Sequence, residues 1–159
     1  MRSGGKVATA TGVQGARSTA LPKPATGSYK DLKKTLKGTD EQANHLNQDA
    51  AFKAKIPSEE GAANAMRGNA FKDVGSPHYN FHQSLEGFWD QYRKGGELFG
   101  QTPTVTQYDA ALRNALTAGG YAPGDVSYLA DIAAANRGAY GLTGGDLVPR
   151  VPGRINQSK

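Results

Sequence analysis

The sequence contains no cysteine and no apolar run long enough to cross a membrane. Without cysteine, a disulfide scaffold, a thiolate-ligated zinc site and a thiol nucleophile are all excluded. A membrane-spanning helix needs about 18 consecutive apolar residues, and the start of the chain also lacks the apolar segment of a signal peptide. The 159 residues therefore predict one domain of average size and no membrane segment.

Acidic residues are scarce at the N-terminal end, where the positive charge is concentrated. Residues 1–37 contain eight Lys or Arg and one acid, whereas residues 38–159 contain eleven basic and thirteen acidic residues. The formal charge of +5 and the pI of about 9.5 therefore reflect the first quarter of the chain. Such a balance suggests a nucleic acid or another polyanion as partner, but solubility alone also explains exposed lysines.

Large apolar side chains are nearly absent from residues 1–27, which consist mostly of Gly, Ala, Ser, Thr, Pro and Lys. Such a segment cannot bury enough surface to offset its ordering entropy, so we expect a flexible basic linker there. A linker in this place suggests that the chain is the C-terminal part of a longer protein. We expect the folded domain over 28–159, opening with a short helix that carries Tyr29, Leu32 and Leu36 on one side.

Helix signals are weak over residues 38–75 and clear afterwards, so we expect only short extended or helical pieces in that segment. Ser76-Pro77 is an N-cap followed by proline at the first helical position. Thr104 and Gln107 have the spacing of a capping box. The predicted helices run over 78–94, from 104 to the glycines at 119–120, and over 125–140, and an extended surface segment is predicted at 148–159.

All three histidines, His45, His78 and His82, fall within a 38-residue window. His78 and His82 are four residues apart on a predicted helix, so their imidazoles project from the same face. This spacing allows a helix to hold a divalent metal ion through two nitrogens. Taken alone, an HxxxH pair is unspecific and more often consists of two half-buried polar neighbours.

Two asparagines complete an ordered set of polar residues around the histidines. Asn44 directly precedes His45, and Asn69 lies nine residues before His78. This order resembles the HNH/endonuclease VII superfamily, the ββα-metal nucleases, in which a β-hairpin and a following helix surround one metal ion. The resemblance implies an α+β, mostly helical fold with a small ββα-metal core and additional C-terminal helices.

The resemblance also implies a role for each member of this set. His45 would be the general base that deprotonates an attacking water, and Asn69 would pin the loop and hold this base in place. His78 and His82 would bind one divalent metal ion, with Asn44 as a further, weaker ligand. Nitrogen ligands admit Zn²⁺, Ni²⁺ or Mn²⁺, and Mg²⁺ is compatible with turnover.

Arginines near the set are candidates for binding substrate phosphate. Arg67 lies beside the motif asparagine and Arg93 at the end of the histidine helix, although an exposed arginine on a solvated surface is the commoner case. Asp49 and Glu86 lie near the histidines in the sequence and could orient one of them, or simply face solvent.

Longer segments strengthen the resemblance. Four segments look like parts of the C-terminal nuclease toxin domains of bacterial polymorphic and type VI secretion effectors. They are QANHLNQDAAF, MRGNAF, GSPHYNFHQSLEGFW and VPRVPGRINQ. The resemblance implies a DNA endonuclease toxin without sequence specificity, secreted behind a PAAR, VgrG or Rhs delivery module and active in the cytoplasm of the target cell. A cognate immunity protein would then block the metal cleft in the producing cell.

Two questions stay open at the level of sequence. Many members of the superfamily have His or Asp where this chain has Asn44, so Asn44 is either a native, weak oxygen ligand or a substitution that weakens a toxic enzyme. The second question is the activity, since the same fold could act on RNA. A non-catalytic metal- or partner-binding module would also carry the HxxxH pair.

Overall fold

A computed structural model of the chain describes residues 23–154. Residues 1–22 of the predicted linker and residues 155–159 of the predicted tail lie outside the described residues. The described part is α+β and mostly helical, with one three-stranded antiparallel sheet, which confirms the predicted fold class. In chain order the elements are β1 (Thr26–Ser28), α1 (Tyr29–Thr35), β2 (Glu41–His45), α2 (Asp49–Phe52), a 3-10 turn (Ser58–Glu60), β3 (Ala62–Arg67), α3 (Pro77–Asp90), α4 (Val105–Ala118) and α5 (Pro123–Ala139).

The sheet has the order β1-β3-β2, so β3 is its central strand. The β2–β3 pair followed by α3 forms the predicted hairpin-and-helix unit, and its register places Asn44 opposite Asn64. On its other edge β3 pairs with β1, which begins at Thr26. The predicted boundary between linker and domain at residue 28 therefore falls inside a strand, because residues 26 and 27 already pair with β3.

The local helix signals in the sequence correspond to helix ends in the structure. Ser76 Oγ accepts a hydrogen bond from Tyr79 N at the start of α3. Both bonds of the capping box between Thr104 and Gln107 are present at the start of α4. The fifth helix begins at Pro123, close to the predicted start.

The histidine helix α3 ends earlier than its sequence predicts. Its last residue is Asp90 rather than a residue just before Gly95. Leu98 N donates to Gln91 O at 2.8 Å, so the chain reverses direction immediately after the helix. Helix propensity alone does not predict this hydrogen bond between residues seven positions apart.

The C-terminal segment 148–154 has no regular structure but is not a purely surface feature. Val148 and Pro152 are buried, whereas an extended surface segment was the prediction. Arg93 fixes the segment, because its guanidinium donates to Pro152 O at 2.9 Å and to Gly153 O at 2.8 Å.

The helices α3, α4 and α5 pack around one hydrophobic core that contains fully buried Phe81, Leu85, Trp89, Tyr108, Leu112, Leu116 and Leu129. One face of α3 therefore supplies core residues, while its histidines face Asn44 in the sheet. None of the helices within residues 23–154 combines the length and apolar character needed to cross a membrane.

Candidate metal centre and substrate cleft

The side-chain oxygen of Asn44 lies close to both histidines of α3. His78 Nε2 and His82 Nε2 are each 3.2 Å from Asn44 Oδ1, and the two imidazole centroids are 5.0 Å apart. Asn44 and His78 are buried and His82 is half-buried. The end of strand β2 and one face of α3 thus bring together the three residues that the resemblance implies as metal ligands.

The separations within this metal cluster (Asn44, His78 and His82) suit ligands of one small cation. With metal–nitrogen bonds of about 2.0–2.1 Å, neighbouring ligand atoms lie roughly 2.8–3.0 Å apart in an octahedral site and roughly 3.3–3.4 Å apart in a tetrahedral one. Within residues 23–154, no three His, Cys, Asp or Glu side chains gather in a way that could hold a metal ion. The candidate centre therefore consists of two imidazoles and one amide.

Hydrogen bonds fix the tautomer of His78. Its Nδ1 lies 3.2 Å from Gly68 O, and because a carbonyl only accepts, Nδ1 carries the proton. Burial lowers the pKa of His78, so the ring is neutral at neutral pH and its Nε2 carries a lone pair. Two acceptors, His78 Nε2 and Asn44 Oδ1, therefore face each other at 3.2 Å. A cation bound between them would make this arrangement favourable.

The environment of His82 also suits a neutral metal ligand. Burial, and then repulsion from His78 and His45 when those rings are protonated, lowers the pKa of His82 to about 4. Its Nδ1 is buried and has no hydrogen-bond partner among the described residues. A metal ligand must be unprotonated, so the site holds this imidazole in the state that binds metal. Two neutral imidazoles and an amide oxygen fit Zn²⁺ or Ni²⁺ better than Mg²⁺.

The imidazole of His45 is held beside the cluster at the end of β2. Its ring stacks on Tyr29, with centroids 4.0 Å apart and an interplanar angle of 13°. His45 Nε2 lies 2.9 Å from Ser58 O, which only accepts, so Nε2 carries the ring proton and Nδ1 keeps its lone pair. The Asp49 carboxylate is 3.9 Å from the same Nε2. This geometry leaves one ring nitrogen able to take a proton.

Gly61 is required for this position of His45. A Cβ at residue 61 would lie only 2.8 Å from His45 Cδ2. Gly61 O also accepts from Tyr29 N at 2.8 Å, which ties the start of α1 to the backbone before β3. The absence of a side chain at residue 61 therefore lets the His45 ring lie against the main chain.

The C-terminal helices anchor the chain directly after His45. Tyr108 OH donates to Leu46 O at 2.7 Å, and Arg137 Nη1 donates to Asn47 Oδ1 at 2.8 Å. The two anchored residues and the two side chains that bind them are all buried. The end of β2, which carries His45, is thus fixed by residues far away in the sequence.

Asn64, which the motif spacing does not include, is the direct partner of Asn44. Asn44 Nδ2 donates to Asn64 Oδ1 at 3.0 Å, and Asn64 Nδ2 donates to Tyr121 OH at 2.9 Å. Asn64 is fully buried in the middle of β3. A single carboxamide within the small, apolar sequence AANAMR is the one sequence signal that points to it.

Asn69 holds its own turn. Asn69 Oδ1 accepts from the backbone N of Phe71 at 2.8 Å and of Lys72 at 3.0 Å, which is the geometry of an Asx turn. This agrees with the part of its predicted role that concerns the loop. The His45 ring instead has its own hydrogen bond, from Nε2 to Ser58 O.

A cleft of about 1170 Å³ contains the metal cluster, His45 and Asn69. The charged residues that line it are four lysines and three acids: Lys30, Lys33, Lys34, Lys37, Glu41, Asp49 and Glu59. The lysines lie on α1 and directly after it. The predicted domain already included these lysines, but the sequence alone did not reveal that they line the same cleft as the histidines.

Neither of the arginines proposed from sequence lines this cleft. Arg67 is exposed at the end of β3, opposite Glu41. Arg93 is buried, forms ion pairs at 2.9 Å with Glu86 and at 3.0 Å with Asp90, and also binds the C-terminal backbone. A guanidinium engaged in this way cannot also bind phosphate, so the suggested substrate role of Arg93 is replaced by a structural one.

No protein-family model, no curated protein and no solved structure matches the chain. The metal cluster, His45 and the charge of the cleft are therefore the features that bear on its function.

Proposed function

We propose that the chain is a metal-dependent endonuclease that hydrolyses phosphodiester bonds of DNA. The observation that carries the proposal is the convergence of three donor atoms at 3.2 Å contacts, those of Asn44, His78 and His82, in one cleft with His45. The order of β2, β3 and α3 supports the same assignment, because it is the order of the ββα-metal superfamily that the sequence resembles.

The metal cluster would hold one divalent cation, Zn²⁺, Ni²⁺, Mn²⁺ or Mg²⁺. When bound, such a cation neutralises negative charge on the phosphate and stabilises the leaving oxygen. Three protein ligands leave coordination positions open, as a catalytic centre requires. Asn44 takes part as a native ligand in this proposal, since its amide is buried and directed at the histidines by Asn64.

His45 would act as the general base. The bond from Nε2 to Ser58 O leaves Nδ1 free to accept a proton from water, and the Tyr29 ring fixes the plane of the imidazole. The nearby Asp49 carboxylate stabilises the positive charge that forms on the ring after proton transfer. A general base of this kind contributes about 10²–10⁴-fold to the rate.

The lysines of α1 would bind phosphates of the substrate beside the scissile bond. Lys30, Lys33 and Lys34 line the same cleft as His45, and Lys33 Nζ lies 5.7 Å from the Tyr29 ring on which His45 stacks. Contacts between lysines and phosphates provide affinity without reading the base sequence. This arrangement supports a nuclease without sequence specificity.

Plasmid cleavage with each metal, with and without a chelator, tests the proposal. We expect metal-dependent nicking that the chelator abolishes and that falls about 100-fold or more in His45→Ala, with Lys53→Ala as a surface control. Cleavage that persists both in chelator and in His45→Ala would remove the mechanism. Cleavage of RNA but not of plasmid would reassign the substrate, and metal binding without any cleavage would indicate a binding module.

The Asn44→His variant in the same assay tests whether Asn44 is native. We expect no gain in cleavage, because Asn44 is buried against Asn64 and an imidazole there has no matching partner. A large gain would show instead that Asn44 weakens the enzyme.

We extend the proposal to the biological role that the resemblance implies. The chain would be the toxin domain of an effector with a PAAR, VgrG or Rhs delivery module, and it would act in the cytoplasm of rival cells. The lysine-lined cleft favours an acidic immunity protein that covers it. Hydrogen exchange of the complex should then show protection around His45, His78 and His82, and protection confined to another face would contradict occlusion.

A further inference from the structure

We infer that Tyr121 is a positioning residue for Asn44, acting through Asn64, and that it keeps the amide oxygen of Asn44 directed at the two histidines. The inference rests on the proposed function, since it takes Asn44 as a metal ligand. A carboxamide is asymmetric: its oxygen can bind a cation, whereas its NH₂ group cannot. The surroundings of Asn44 therefore decide whether the centre can bind metal.

A backbone carbonyl fixes the direction of the hydrogen bonds from one end. Tyr121 OH lies 3.0 Å from Ala65 O, which only accepts, so the single hydroxyl proton points to Ala65. The Tyr121 oxygen must then accept from Asn64, and it does so from Nδ2 at 2.9 Å. This turns Asn64 Oδ1 toward Asn44, where it accepts from Asn44 Nδ2 at 3.0 Å. Each step leaves one orientation for the next group.

The opposite orientation of Asn44 would turn a hydrogen-bond donor toward His78, where a metal ligand must be an acceptor. With its NH₂ group directed at His78, Asn44 would donate to the lone pair of Nε2 and the two side chains would satisfy each other. The observed orientation forgoes that bond and places two acceptors 3.2 Å apart. Asn44 is 2% exposed and Asn64 0%, so water does not compete with this choice.

Tyr121 lies outside the hairpin-and-helix unit that holds the ligands. It follows Gly119-Gly120 at the end of α4, and its ring also packs partly against the hydrophobic core. A test must therefore separate the orientation of Asn44 from general support of the fold.

The Tyr121→Phe substitution removes the hydroxyl and keeps the ring. We expect the affinity for Zn²⁺ or Ni²⁺, measured by calorimetry, to fall about 10-fold, at the lower end of the range for residues that orient a ligand. Tyr140→Phe, at another half-buried tyrosine beside the core, is the matched control and should bind metal as the unsubstituted chain does. Thermal unfolding of each variant checks that the fold is retained.

The Asn44→Asp background separates the two roles of Tyr121. A carboxylate accepts at both oxygens, so it presents an acceptor to the histidines whatever its orientation. We expect Tyr121→Phe to change metal affinity less than about twofold in this background. An equal loss in both backgrounds, or no loss in the unsubstituted one, would overturn the inference while leaving the proposed function standing. A failure of the unsubstituted chain to bind any of the metals would overturn both.

Discussion

Asn44 occupies the position at which this chain departs from the superfamily that it resembles. The structure gives the residue two directed contacts, one from Nδ2 to Asn64 and one from Oδ1 to the histidines. A neutral amide binds a cation more weakly than a carboxylate does, so a precise orientation matters more for Asn44 than it would for Asp. In the proposed centre, the buried Asn64 would compensate for the weaker binding of the Asn44 oxygen by fixing its direction.

Gly61 provides a test of the position of His45. In Gly61→Ala the new Cβ would meet His45 Cδ2 at 2.8 Å and displace the imidazole. We expect DNA cleavage to fall about 10- to 100-fold, because a misplaced base loses its alignment with the attacking water. The affinity for metal should be unchanged, since His45 is not one of the three proposed ligands.

The matched control for this change is Gly27→Ala in β1, where an added Cβ meets nothing within 4 Å. It should leave both cleavage and metal affinity unaltered. Full activity in Gly61→Ala would show that His45 moves freely and that its packing has no part in catalysis.

At the scale of elements, the end of α4 packs closely on the central strand and on α3. A Cβ at Gly119 would meet Met66 Cε at 2.7 Å and Pro77 O at 3.3 Å. We expect Gly119→Ala to lower the free energy of unfolding by about 1 kcal/mol, because the end of the buried Met66 side chain must move aside and Pro77 O must shift slightly. Denaturant unfolding measures the change.

Gly138 in α5 is the control for that substitution, because a Cβ there meets nothing within 4 Å. Gly138→Ala should raise the free energy of unfolding by about 0.5–1 kcal/mol through helix propensity alone. Equal effects of the two substitutions would contradict a close contact at Gly119.

The helix α1 provides a second prediction at this scale. Replacing Lys33 and Lys34 by Gln should weaken DNA binding and reduce the slope of log affinity against log salt by about 2, since each phosphate contact contributes roughly 0.9. Fluorescence anisotropy in chelator measures binding without cleavage. The control replaces Lys53 and Lys55 by Gln, because these lysines are exposed and do not line the cleft. This change should leave the slope unaltered. A similar loss of DNA affinity in both double variants would exclude a specific role for α1.

The elements that local chemistry determines were predictable from the sequence. The caps at Ser76 and Thr104 and the i, i+4 spacing of the histidines are signals within a few residues, and the structure has helices at both places. The exact position of β3 within the expected extended pieces was not predicted, because its sequence AANAMR lacks the β-branched residues typical of strands. The strand forms because β1 and β2 pair with it and the helices cover it.

The supporting residues of the site were not predictable for a related reason. Asn64 and Tyr121 are 57 residues apart, and their contact exists only after the sheet and α4 have come together. The carbonyl of Ser58 carries no side-chain signal at all, yet it sets the tautomer of His45. The histidine spacing and the family resemblance pointed to the residues of the candidate centre but not to the residues that orient them.

For the whole molecule, metal binding should appear as added stability. Because the metal cluster joins β2 to α3, a metal that binds the folded chain raises the free energy of unfolding by about 2.7 kcal/mol at a concentration 100 times Kd. Thermal unfolding with Zn²⁺ or Ni²⁺ should show an increase in Tm that a chelator reverses and that His78→Ala abolishes. His45→Ala should retain the increase, and its loss there would assign His45 to the metal as well.

The anchoring of the chain after His45 by α4 and α5 has a consequence for biosynthesis. Tyr108 binds Leu46 across 62 residues and Arg137 binds Asn47 across 90. A nascent chain on the ribosome therefore carries the histidines long before it carries the residues that fix them, and contacts of such long range form late. Under the proposed function, the domain would become competent only when nearly all of it has been translated, so unfinished chains would hold the histidines without the arrangement that cleavage of DNA requires.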